Sequence, residues 1–133
     1  MVFKTQMKIH FDEADPAGIA FAGNLFTKVH RCLEDFLEKY GARSFFLEGP
    51  LGYPLRHIEA EYFRPLEALK TYNVEISVKH IGESSFQLQF EVKSPTELSA
   101  RLISTHVCCQ KSDFKKNPLP QGLTDYLKNY LSP

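Results

Sequence analysis

The chain has 133 residues, sixteen Lys plus Arg against sixteen Asp plus Glu, zero net charge and three cysteines. That length suits one domain, 1–133, able to bury about two-thirds of its unfolded surface without disulfides or a structural metal. With no basic excess to displace counterions, nucleic acid and anionic membrane are disfavoured as main partners, and a small or neutral partner is expected. No apolar stretch reaches the about 20 residues of a membrane helix. The start, Met1 to Thr5, lacks a charged-then-apolar export signal, so a cytosolic location is expected. Three cysteines, two of them adjacent at Cys108 and Cys109, make no disulfide framework, and no Cys/His spacing suggests a metal.

Residues 3–11 place Phe3, Met7, Ile9 and Phe11 on alternate positions, the period of a half-buried strand. An acidic loop follows, Asp12-Glu13-Ala14-Asp15-Pro16-Ala17-Gly18, whose Pro and Gly stop the strand. From Ala22 to Tyr40 the period changes. Leu25, Val29, Cys32, Leu33, Phe36, Leu37 and Tyr40 form one apolar stripe of a long helix, with Gly41 placed to end it in a left-handed conformation. A short second helix is expected at 42–48, broken by Gly49-Pro50-Leu51-Gly52. Strands are expected at 54–64, 71–81, 85–93 and 98–111, the second and third joined by a hairpin at Gly82-Glu83-Ser84. Leu123, Tyr126, Leu127, Tyr130 and Leu131 have helical spacing near the end. One strand, a long helix and about four further strands make an α+β domain, an antiparallel sheet covering one helix. The free sheet edges favour association between copies.

The chain has no GxSxG, P-loop or GxGxxG, which removes support for serine and nucleotide hydrolysis. Its distinctive segment is the run from Asp15 to Asn24, a carboxylate on a Pro/Gly loop directly before the long helix. Unpaired amides and the dipole at a helix start stabilise an oxyanion, while a nearby carboxylate attacks a carbonyl or deprotonates water. Asp, Pro and Gly are also ordinary turn and capping residues, but Ile19, Ala20, Phe21 and Ala22 are too apolar for a solvated turn; they either line a pocket or enter the core. The proximity of Asp12, Glu13 and Asp15 either pushes a carboxyl pKa up through like-charge repulsion or leaves Asp12 and Glu13 as solvated side chains. The histidines lack metal spacing. His10, His30, His80 and His106 are read as structural or exposed, and Cys32 as a core thiol.

The run Asp15-Pro16-Ala17-Gly18-Ile19 resembles the motif of hotdog-fold acyl-CoA thioesterases of the 4-hydroxybenzoyl-CoA thioesterase class. The segment Pro54 to Leu66 is similar to that family's second strand, in the form found in 1,4-dihydroxy-2-naphthoyl-CoA thioesterases, and Ser84-Ser85-Phe86 and Pro118-Leu119-Pro120 also match in place. The resemblance covers nearly the whole chain. It implies a hotdog fold, a long central helix wrapped by an antiparallel sheet of about five strands, and hydrolysis of an acyl-CoA with an aromatic or short acyl group. It implies that Asp15 is the catalytic carboxylate, as nucleophile or as general base, and that the backbone amide of Ala22 is the oxyanion contact. Substrate-binding candidates are Gly18, Ile19, Phe21 and Leu25 around the loop, with His57, Ser84 and Ser85 in the other matched segments.

The resemblance further implies a homodimer or homotetramer, no metal and no cofactor, coenzyme A being part of the substrate. Departures from the family are Ala22 and Leu25, where relatives carry Tyr or His and Tyr, and Leu69-Lys70 in place of Gly-Asp. Gly82 and Glu83 replace basic residues, leaving Lys79, His80, Arg101, Lys111, Lys115 and Lys116 as candidates for CoA phosphates. The altered residues also admit a non-catalytic acyl-CoA or acyl-carrier-protein binding module. A hotdog dehydratase would have only His30 in the helix as its base.

Overall fold

The computed structural model describes every residue except Phe21 and the side chain of Ala22. Strand β1 (Phe3–Lys8) stops three residues short of the alternation that predicts it. The chain there turns into a single 3-10 turn, Phe11–Glu13, whose Glu13 carboxylate accepts the His10 amide at 2.7 Å. The long helix α1 spans Ala22–Phe36. Leu37 to Tyr40 keep the apolar spacing but leave the regular helix in a turn, and Gly41, at φ +127°, lies in the region open to glycine and leads into α2 (Ala42–Phe46). A two-residue strand not expected from the sequence, β2 (Leu51–Gly52), falls in the segment that breaks the second helix, and the predicted strand at 54–64 is β3 (Leu55–Tyr62). Then come β4 (Thr71–Ile81), β5 (Ser85–Lys93) and β6 (Leu98–Val107). A break at Cys108 separates β7 (Cys109–Gln110), and α3 (Gln121–Lys128) closes the chain.

Five strands form one sheet in the order β1-β4-β5-β6-β3, every neighbouring pair antiparallel, while β2 and β7 pair separately. The expected α+β arrangement is therefore present. The α1 stripe, Leu25, Val29, Cys32, Leu33 and Phe36, shares one cluster with the inward side chains Val74, Ile76, Leu88, Phe90 and Leu102. Phe36 is fully buried and meets Phe3 edge-on at 5.5 Å and Tyr130 at 5.0 Å. Removing a ring so enclosed costs about 3–5 kcal/mol.

Two long-range ties fix the ends of this frame. Where β1 runs out opposite Ile76, the tail takes over the same edge of β4: the Val78 amide donates to the Tyr130 carbonyl at 2.9 Å and the Ser132 amide to the Val78 carbonyl at 2.8 Å. At the other end, residues 18–20 pair with 66–68. Ala20 donates to the Leu66 carbonyl at 2.6 Å and Ala68 to the Gly18 carbonyl at 2.9 Å. The loop before α1 is thus held as a short ribbon.

Candidate active site

Asp15 closes that ribbon on itself. Its amide donates to the Ile19 carbonyl at 2.8 Å, and its carbonyl accepts from Gly18 at 2.9 Å. One carboxylate oxygen, Oδ1, accepts the amides of Ala17 at 2.9 Å and Ile19 at 3.2 Å. Such local side-chain to backbone bonds are what Asp does well in turns. Gly18 sits at φ +78° with open space where a Cβ would project, so backbone conformation alone asks for glycine there. The second oxygen, Oδ2, has no protein partner among the described residues, and Asp15 is exposed. The helix that follows begins at Ala22, as expected, while the predicted pocket role of Phe21 lies outside the described residues.

Glu13 meets Lys28 on α1, with Oε1 3.4 Å from Nζ and 3.0 Å from His10 Nδ1. Burial alone would push the Glu13 carboxyl up, but the His10 amide, the His10 ring and the Lys28 ammonium together hold it below the ordinary carboxylate value. The upward shift that like charges would give is therefore not what Glu13 shows. Lys28, at 5% exposure, is a nearly buried cation, and Asn24 Nδ2 donates to the Glu13 carbonyl at 2.9 Å. Both contacts tie the carboxylate-bearing loop to the first two turns of α1.

The loop is the wall between two openings. On one side Ala17, Gly18 and Ile19 border an open groove of about 800 Å³, in which Arg64 is paired with Glu97 at 2.9 Å and Lys70 with Glu67. On the other, Ile19, Ala20 and Leu25 face Tyr62, Phe63, Pro65 and Leu66 across an apolar cleft of about 400 Å³. Gly18, Ile19 and Leu25 line these openings, while Asp15, bonded to Ile19, is exposed on the loop between them and lines neither.

The other sequence candidates lie elsewhere in the protomer. His57 is on the far face of β3, 3.8 Å from Glu59, and Ser84 and Ser85 form the β4–β5 hairpin, where the Ser84 carbonyl accepts the Cys108 amide at 2.7 Å. Arg101, a phosphate candidate, is held by Glu91 at 3.0 Å and lies over the Phe63 ring at 5.6 Å. Among the described residues no group of three metal-ligating side chains occurs, and no helix is long and apolar enough to cross a membrane.

A further open groove, about 430 Å³, lies between α1 and β3, where apolar Val29, Leu33, Ile58 and Phe90 are joined by Thr27, His30, Arg31 and Glu34 of α1 and by Ser104 and His106 of β6. These two polar residues are buried, at 3% and 4% exposure, on the inward face of β6. His106, expected to be structural or exposed, is thus buried, as is Ser104, to which the sequence assigns no role. The available signal was parity: counting by twos from inward Leu102 reaches both.

The profile of the thioesterase-like superfamily matches residues 9–127. A 1,4-dihydroxy-2-naphthoyl-CoA hydrolase from Microcystis aeruginosa is 29% identical, over 93% of this chain and 91% of that protein. One from Prochlorococcus marinus (strain NATL2A) is 32% identical over 90% and 83%. Among solved structures, a 1,4-dihydroxy-2-naphthoyl-CoA thioesterase from Synechocystis shares the fold at a TM-score of 0.88 and 21% identity over the full length of both chains. A thioesterase-superfamily protein from Jannaschia sp. CCS1 does so at 0.90 and 18%, over 99% of this chain and 94% of that one. Loop, helix and sheet stand in the order the resemblance implies, and the profile spans almost all of them: the chain belongs to the thioesterase-like superfamily and is a hotdog-fold thioester hydrolase.

Proposed function

We propose that this protein hydrolyses an acyl-CoA carrying an aromatic or short acyl group, and that Asp15 is its catalytic carboxylate. The observation that carries this is the Asp15 ribbon. One oxygen is pinned by two amides of its own loop, the other is uncommitted, and the loop borders an apolar cleft where α1 begins. Curated relatives named as 1,4-dihydroxy-2-naphthoyl-CoA hydrolases support an aromatic acyl group.

Two routes use the free Oδ2. As nucleophile it attacks the thioester carbonyl, forms a mixed anhydride and expels the CoA thiolate, and water then opens the anhydride. As general base it takes a proton from water, whose oxygen attacks the carbonyl while the thiolate leaves. In either route the developing oxyanion meets the Ala22 amide at the start of α1, where helix geometry leaves N–H groups without internal partners. One such donor is worth about 2.7–4 kcal/mol in a transition state. Coenzyme A leaves as product, and no separate cofactor is required. We further infer a cytosolic homodimer or homotetramer, since β3 leaves an open edge eight residues long.

The test is thiol release from a panel of CoA thioesters. Asp15→Asn should lower kcat by roughly 100- to 10,000-fold, and Asp15→Ala similarly. Undiminished turnover in Asp15→Asn removes Asp15 from the mechanism, and binding of CoA esters without release by wild type reduces the protein to a binding module.

A further inference from the structure

The loop that carries Asp15 is backed by a second layer of chain, and the hydrogen bonds across the two layers alternate. Ile19 spends both its backbone groups on Asp15: its carbonyl accepts the Asp15 amide at 2.8 Å, and its amide donates to Oδ1 at 3.2 Å. Its neighbours face the other way. The Gly18 carbonyl accepts the Ala68 amide at 2.9 Å, and the Ala20 amide donates to the Leu66 carbonyl at 2.6 Å. By the same alternation the amide of Glu67, which lies opposite Ile19, points away from the loop. There it donates to the Tyr72 hydroxyl at 2.9 Å. The order across the ribbon is thus Asp15, residues 18–20, residues 66–68 and Tyr72.

Tyr72 is anchored and the turn it holds is strained. Its ring, 3% exposed near the start of β4 and opposite Met7 of β1, belongs to the central cluster. Residues 67–70 make a turn closed by the Lys70 amide donating to the Glu67 carbonyl at 3.4 Å, a long bond. Leu69, third in that turn, has φ +67°, the left-handed region that suits glycine. It is 65% exposed, so burial does not offset the cost. The ion pair of Glu67 with Lys70 across the turn is exposed and adds little. A turn built this way relaxes unless the Glu67 amide is tied down from inside, and relaxation carries residues 66–68 away from 18–20.

We propose that the Tyr72 hydroxyl positions the Asp15 carboxylate, acting through the Glu67 amide and the ribbon of residues 66–68 with 18–20. This assignment rests on the catalytic role proposed for Asp15 above. Tyr72 is a positioning residue, and it sets the aim of the free Oδ2 by keeping the Ile19 amide on Oδ1.

The experiment compares wild type, Tyr72→Phe, Leu69→Gly, the double variant and Asp15→Asn. Thiol release from benzoyl-CoA, 4-hydroxybenzoyl-CoA and butyryl-CoA gives kcat and KM on whichever ester turns over fastest, and amide hydrogen exchange by NMR is followed at Ala20 and Ala68 against Ile76 and Phe90 in the sheet. Tyr72→Phe keeps the buried ring and drops only the hydroxyl. It should lower kcat about five- to tenfold, the worth of one hydrogen bond, with KM within about twofold. Exchange at Ala20 and Ala68 should quicken by a similar factor while Ile76 and Phe90 stay as in wild type. Leu69→Gly alone should change kcat less than about twofold, and in the Tyr72→Phe background it should restore most of the lost rate by removing the strain that opens the turn.

Full turnover in Tyr72→Phe, with Asp15→Asn impaired, overturns the proposal. So does a lowered kcat with exchange at Ala20 and Ala68 unchanged, a rise in exchange shared equally by Ile76 and Phe90, or a double variant no faster than Tyr72→Phe. Undiminished turnover in Asp15→Asn instead defeats the catalytic role of Asp15, and exchange at Ala20 and Ala68 then reports on its own whether Tyr72 holds the ribbon.

Discussion

Replacing Lys28 by Met tests whether the loop that carries Asp15 is held from behind by a buried charge. Lys28 Nζ stands 3.4 Å from Glu13 Oε1 and 3.3 Å from His10 Nδ1. At an effective dielectric of about 20 the gross attraction to Glu13 is about 5 kcal/mol. Much of it is offset, because Met keeps the length of the buried stem and no longer desolvates an ammonium, and because Glu13 keeps the His10 amide at 2.7 Å. The net loss is about 1–2 kcal/mol, a fall of roughly 3–10 °C in Tm for a domain of this size.

The pH dependence follows from the Glu13 carboxyl. Its folded-state pKa is depressed, so its contribution is present above the unfolded carboxylate value, about 4.3, and is lost as pH falls through the folded value. The Tm gap between wild type and Lys28→Met should therefore be full at pH 7 and should narrow below about pH 4. Thermal unfolding followed by circular dichroism reads the gap, and thiol release should show a several-fold lower kcat as the loop loosens. An unchanged or higher Tm at pH 7, or a gap that does not narrow in acid, refutes the role of this ion pair.

Gly18 and Gly49 have nearly the same backbone angle, φ +78° and +81°, and open space at Cβ, so alanine at either should cost about 1–2 kcal/mol from conformation alone. Only Gly18→Ala should also depress kcat; equal activities in the two variants would separate the ribbon's shape from the chemistry. His106 binds fewer protons folded than unfolded near its ordinary pKa of about 6.5. Stability should therefore be complete above that pH and decline as pH falls below it, by at most about 1.4 kcal/mol per pH unit. Urea titrations between pH 8 and 5 should show this slope in wild type and its loss in His106→Asn. Burial, reinforced by Asp35, pushes the Cys32 thiol up to about 11, so a disulfide reagent at pH 8 should leave it unmodified until the protein is unfolded in urea. Modification of native Cys32 would contradict its place in the α1 stripe.

Periodicity accounts for what the sequence discloses and what it hides. The alternation of 71–81 and 85–93 and the stripe of α1 come from faces buried along their whole length, so their spacing is uniform and their elements were readable. Lys28 interrupts that stripe and is found inside it only because Glu13, fifteen residues earlier, turns to meet it. The pairing of residues 18–20 with 66–68 has no local signature, since a three-residue ribbon holds barely one period. The two-residue strands β2 and β7 escape for the same reason. Within the site, Asp15, Gly18 and the start of α1 were legible from composition. Ser104 and His106 leave only their parity with Leu102, a signal that can be used once Leu102 is known to face inward.

The handover on the outer edge of β4, first to β1 and then to residues 130–132, brings the N-terminal and C-terminal segments beside each other, with the Phe3 and Tyr130 rings 6.3 Å apart. Chain continuity is therefore negotiable in this molecule. A short flexible linker could join Pro133 to Met1 while new ends are cut in the exposed turn around Pro95, and such a circular permutant would leave the order of strands around α1 and the Asp15 ribbon untouched.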